Sequence, residues 1–161
     1  MTPQVWNLQS VILYERPKNS SEAPTTLQLV DTSTQEVVQR FEVCGKDRAR
    51  LEVEKPLQPG KTYGVEQFQN EKKINASVSF RVMSGAFRNK IMLELNDLES
   101  KGKSTRQQLS EQKVKLFVDN QLWSDALQEM SQWVESDDDW KQFTAVTIDE
   151  WRKGDQVTLQ P

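Results

Sequence analysis

Proline and glycine are unevenly placed along this chain, and that unevenness constrains its fold more than any other feature. Five of the six prolines, and four of the six glycines counting Gly85, lie within the first 85 residues. Proline fixes φ and removes a backbone donor, and glycine reaches φ > 0, so both collect at turns and weaken helix interiors. Short β-branched runs fill the spaces between them. Beyond Gly85 the turn signals thin out and apolar residues recur at helical spacing. The pattern predicts strands up to about residue 84 and helices after it, an α+β chain.

Residues 5–14 read as the first strand, closed by Pro17. After a polar loop, residues 25–30 alternate, with Leu27 and Leu29 on one face. Residues 37–44 place Val37, Gln39, Phe41 and Val43 together, so these two segments make a β-hairpin. Residues 48–54 send Ala49, Leu51 and Val53 inward and Arg48, Arg50, Glu52 and Glu54 outward. Pro59-Gly60 suits the central pair of a type II turn, where glycine supplies φ > 0. Residues 62–68 and 74–83 complete the set, with Glu71-Lys72-Lys73 as a charged tip between them. Short alternating strands with a turn after each predict an antiparallel β-sandwich-like part, or an open barrel, over residues 1–84.

Phe87, Ile91, Leu95 and Leu98 recur at intervals of four, four and three, which predicts an amphipathic helix over 85–100. Gly102 stops it, and Ser104 is the expected N-cap of the next helix. That helix carries Leu109, Leu116, Phe117 and Val118 to about residue 119. After a break at Asp119-Asn120-Gln121, the residues Trp123, Ala126, Leu127, Met130, Trp133 and Val134 form a third stripe. Ser136 to Asp139 offer caps for a last short helix with Trp140, Phe143, Ile148 and Trp151. Residues 85–154 thus form a C-terminal helical hairpin or bundle, packed on or beside the strands, and 155–161 a tail.

Composition removes several function classes. The chain has no histidine, which excludes a Ser-His-Asp triad, a Cys-His pair and any His-ligated metal site within it. Cys44 is the sole cysteine, so no intrachain disulfide or thiolate cluster can form. Charged residues make up 28% of the chain, yet both signs are spread along it for a net −3, and no basic stripe is present to neutralise phosphates. Nucleic acid is therefore not an expected partner. No apolar run reaches the ~20 residues of a membrane span. The start lacks the basic and apolar regions of a signal peptide. The sequence as it stands reads as cytoplasmic, or periplasmic if a signal has been removed.

Two stretches carry a family resemblance. Pro56-Leu57-Gln58-Pro59-Gly60-Lys61-Thr62-Tyr63 resembles the strand lead-in of a cyanobacterial family known as domain of unknown function 928. Leu116-Phe117-Val118-Asp119-Asn120-Gln121-Leu122-Trp123-Ser124-Asp125-Ala126-Leu127 resembles its helical signature, a helix end followed by Trp-(Tyr)-Asp-Ala-Leu. The order of strands, long helix and helical hairpin matches as well. Ser124 departs from the pattern, standing where an aromatic is usual. The region after Trp133 lacks the family's Pro-rich connection and terminal apolar motif. The resemblance implies an order of elements and no activity, and exported members imply the periplasmic alternative. The second stretch also resembles half of a tetratricopeptide unit, in which a small residue such as Ala126 lets two helices approach closely. No second copy follows, so it reads as a single αα-hairpin.

Candidate sites are few. Asp137, Asp138, Asp139 and Glu135 offer oxygen ligands to a hard cation, but the run lacks the alternation and glycine turn of a calcium loop, and helix N-capping explains it more simply. Trp123, Trp133 and Ala126 fit one helical face, which points to core packing. Trp140, Trp151 and Arg152 are the candidate partner-binding residues, because tryptophan and arginine anchor interfaces. Ser84-Gly85 before a helix reads as a cap, Lys72, Lys73, Arg48 and Arg50 as solvated charges, and Cys44 as a small buried apolar residue. Plentiful carboxylates with no pocket motif do not make an enzyme. The sequence predicts a non-catalytic protein–protein interaction or adaptor domain with no cofactor and no metal. The alternatives are a carbohydrate or small-ligand module, for which the aromatics Trp6, Tyr14 and Tyr63 of the sandwich part are few and scattered, and a structural subunit of a larger complex.

Overall fold

A computed structural model describes residues 2–18, 23–74, 78–102, 105–133, 136 and 138. The chain divides into two compact units, with the boundary between Glu94 and Leu95. Among the described residues the order is β1 (Gln4–Val5), β2 (Val11–Glu15), β3 (Thr26–Asp31), β4 (Val37–Glu42), β5 (Arg48–Glu52), β6 (Thr62–Gln69), β7 (Lys72–Lys73) and β8 (Val78–Val82). Three helices follow: α1 (Gly85–Ser100), α2 (Arg106–Asp119) and α3 (Trp123–Ser131).

In the first unit one sheet runs β1-β8-β6-β3-β4, with β7 paired to β6, and a separate ribbon pairs β2 with β5. All pairs are antiparallel except β1 with β8. The single strand expected over residues 5–14 is therefore two strands in different sheets. Asn7 and Ser10 turn the chain between them, the Ser10 hydroxyl donating to the Asn7 carbonyl at 2.9 Å. Both sheets feed one core: Tyr14 and Leu51 from the ribbon join Leu29, Phe41, Tyr63 and Val82 from the larger sheet. Along the ribbon, Ile12 opposite Leu51 and Tyr14 opposite Ala49 carry the apolar face, while Leu13 opposite Arg50 and Glu15 opposite Arg48 carry the other.

The β3–β4 pairing contains one irregularity. Register passes from Leu29 opposite Gln39 to Val30 opposite Val37, leaving Val38 as an extra residue on β4. Such a bulge inverts the facing of what precedes it. Val37 therefore leaves the face it was expected to share with Gln39 and Phe41, and is 48% exposed. Val38 packs against the core instead. At the Pro59-Gly60 turn, Gly60 has φ +83° and Lys61 N–H donates to the Gln58 carbonyl at 3.3 Å, as a type II turn requires. Asn70 and Glu71, at φ 49° and 70°, form the two-residue turn between β6 and β7.

Asp31 organises the β3–β4 turn. Its side chain, 8% exposed, accepts from the Ser33 N–H at 2.9 Å, the Ser33 hydroxyl at 2.7 Å and Lys61 Nζ at 2.9 Å. The Lys61 hydrogen bond, reinforced by Ser33, holds the carboxyl well below the usual carboxylate range and pushes Lys61 up. A lowered folded pKa contributes stability above the unfolded value of about 3.9 that is lost as pH falls through the folded one. Asp31→Asn should thus lower the thermal midpoint at pH 7 by several degrees, with the gap to wild type narrowing steadily below about pH 4. Thermal scans from pH 7 to pH 2 check this; a gap independent of pH would remove the charge from the explanation.

Of the three helices, α2 begins at a side-chain cap, whereas α3 begins at Leu122 without one. α1 covers the predicted 85–100, with Ile91 and Leu95 buried, although Phe87, in its first turn, is exposed. The expected cap Ser104 lies outside the described residues. Thr105 caps α2 through a capping box: its hydroxyl accepts from Gln108 N–H at 3.2 Å, and Gln108 Oε1 accepts from Thr105 N–H at 3.0 Å. α2 ends in a Schellman motif, with Leu122 N–H donating to the Phe117 carbonyl at 2.8 Å and Gln121 N–H to Val118 at 3.0 Å. Gln121, at φ 60°, holds the left-handed position that glycine usually takes. Phe117, Leu122 and Ala126 are all buried in this second unit.

Candidate functional site

The second unit fixes a tryptophan at its surface. α2 places Arg106 and Ser110 one turn apart, and α3 brings Glu129 opposite them. The Ser110 hydroxyl donates to Glu129 Oε1 at 2.9 Å and accepts from the Trp133 indole N–H at 2.7 Å. Glu129 Oε2 accepts from the Gln132 side-chain amide at 3.1 Å. The Arg106 guanidinium stands 5.8 Å from the Trp133 ring centroid, within cation–π range. Trp133 nonetheless stays 43% exposed. Its polar edge is satisfied, and its position is set within the unit by Ser110 and Arg106.

This corrects the reading of Trp133 as core. α3 ends at Ser131, so Trp133 lies past the helix and leaves its buried face. Ala126 does enter that face, and Trp123, Leu127 and Met130 are half-buried. The expected partner-binding residues Trp140, Trp151 and Arg152 lie outside the described residues, as do Glu135, Asp137 and Asp139. Asp138 is exposed. Among the described residues no three His, Cys, Asp or Glu side chains gather as a metal site.

The other candidates are placed as follows. Cys44 is exposed, against the expectation of burial, because it occupies the turn closed by Lys46 N–H on the Val43 carbonyl at 3.1 Å. Arg48 lines an open cleft of about 390 Å³ with Glu15, Arg16, Pro17, Lys18 and Asp47, while Arg50 pairs with Glu52. Lys73 pairs with Glu66 at 3.1 Å, and Lys72 is exposed.

The few aromatics that a sugar-stacking surface would have to draw on, Trp6, Tyr14 and Tyr63, are engaged in the fold. Tyr14 and Tyr63 lie in the core, where burial pushes the Tyr14 hydroxyl's pKa up and the Tyr63 oxygen accepts from Gln58 N–H at 3.0 Å. Trp6 donates to the Arg88 carbonyl at 3.3 Å, and the Arg88 guanidinium lies 5.1 Å from its ring centroid. No protein-family model and no curated protein matches the chain.

Proposed function

We propose that this chain is a non-catalytic protein–protein interaction domain, an adaptor, and that Trp133 with Arg106 is its anchor. The observation that supports this most is a large aromatic held by a hydrogen bond to Ser110 and still 43% exposed. Tryptophan and arginine dominate interface hot spots, and a side chain already ordered loses little entropy on binding. In this reading the two sheets of the first unit form a sandwich-like platform, and α2 with α3 an αα-hairpin that presents the anchor. The resemblance of residues 56–63 and 116–127 to the domain of unknown function 928 family belongs to the same proposal. Among the described residues no helix is long and apolar enough to cross a membrane.

The test is capture of partners from an extract of the source organism, using the whole chain and its Trp133→Ala and Trp151→Ala variants, each shown to be folded by circular dichroism. A stoichiometric protein held by wild type and lost from Trp133→Ala, with affinity down by about 30-fold or more, is the expected result. Loss from Trp151→Ala alone moves the anchor to the C-terminal tryptophans. A folded wild type that captures nothing overturns the adaptor reading.

A further inference from the structure

The outer edge of β5 is occupied by a side chain. Two backbone bonds, Val53 N–H to the Ser10 carbonyl at 3.1 Å and Arg16 N–H to the Asp47 carbonyl at 2.7 Å, bracket the β2–β5 ladder. Antiparallel bonding alternates, so residues 49, 51 and 53 face β2 and residues 48, 50 and 52 turn their backbone groups away from it. Gln39 meets the outward groups at the end of this edge. Its Nε2 donates to the Glu52 carbonyl at 3.1 Å, and its Oε1 accepts from the Glu54 N–H at 2.8 Å.

A neighbouring parallel strand would bond in the same way, one residue donating to the carbonyl before Val53 and accepting from the N–H after it. The Gln39 amide reproduces both bonds. Its backbone lies opposite Leu29 on β3, at a position that the Val43 N–H to Thr25 carbonyl bond marks as facing β3. One residue therefore belongs to the larger sheet by its main chain and to the ribbon by its side chain. Asparagine is a methylene shorter, glutamate has no donor, and leucine has neither group.

We propose that the Gln39 side chain is an edge guard, standing in for a strand on β5 and keeping that edge from pairing with a strand of a second copy of this chain. Exposed strand edges invite such pairing, and β4, the edge strand of the larger sheet, already carries a bulge and the charged pair Arg40 and Glu42 that discourage it. The end of β5 has Gln39 in that role.

Hydrogen exchange of the whole chain gives the first readout: the Glu54 amide in wild type should be protected, and should exchange about tenfold faster in Gln39→Leu. Sedimentation velocity gives the second. Gln39→Leu should show a larger associated fraction than wild type at equal concentration. Gln39→Glu turns a carboxylate oxygen toward the Glu52 carbonyl, so the Glu54 amide should exchange faster, while the charge placed on the edge should keep association at the wild-type level. A Glu54 amide that exchanges in wild type as fast as a free one overturns the proposal without any variant. So does a folded Gln39→Leu that associates no more than wild type.

Discussion

Leu29→Ala is expected to destabilise the protein by about 3–4 kcal/mol. Leu29 is fully buried on β3, which lies between β4 and β6 and so can relax toward neither side without breaking a ladder. Removing three carbons there loses their transfer free energy and leaves a cavity the strands cannot close. Urea unfolding followed by fluorescence should show the midpoint falling at an unchanged slope. Val37→Ala, on the adjacent strand, is the comparison: the bulge leaves Val37 at the surface, so its truncation should cost less than about 0.5 kcal/mol. Equal losses at the two sites would mean that burial on β3 does not set the stability of this sheet.

The contrast between those residues also marks what the amino-acid order makes legible. Alternation located the strands around Leu27 and Leu29, and helical spacing placed α1 and the end of α2, because a continuous apolar face leaves a periodic trace. A bulge breaks that period by one residue without a composition signal, which is why Val37 reads as core. The division of residues 5–14 between two sheets is hidden for a different reason: apolar residues stand on both sides of the Asn7–Ser10 turn, and no proline or glycine within 5–14 marks it. Long-range polar contacts leave no trace of this kind. Nothing near Gln39 in sequence announces Glu52 and Glu54, and nothing near Trp133 announces Ser110 and Arg106, since pairing is set by the fold. The Thr105–Gln108 capping box was visible in the residues themselves, one position beyond the cap that was expected.

Several polar side chains in the first unit are committed to holding it together. Asp31 and Lys61 fix a turn, Gln39 joins two sheets, and Trp6 and Arg88 bind each other in both directions. A group saturated by its own fold has little left for a partner. Trp133 differs, because its single donor is satisfied while much of its apolar surface stays in water. Within the proposed adaptor reading, that difference favours the second unit over the first as the place of the anchor.

Phe117→Ala should be the most damaging change in that unit, at about 3–5 kcal/mol. Phe117 is buried near the end of α2, and its carbonyl receives the Leu122 N–H that turns the chain into α3. Leu122, at the turn, and Ala126, in the first turn of α3, are buried in the same unit. Ala126→Leu tests the same packing from the opposite side. A small residue there permits close approach, and a larger one should cost about 1–3 kcal/mol through overpacking. If the two helices share one tightly packed layer, the added volume of Ala126→Leu should recover part of the loss in Phe117→Ala, giving a double variant less damaged than the sum of its parts. Strict additivity in thermal unfolding would instead place the two residues in separate pockets.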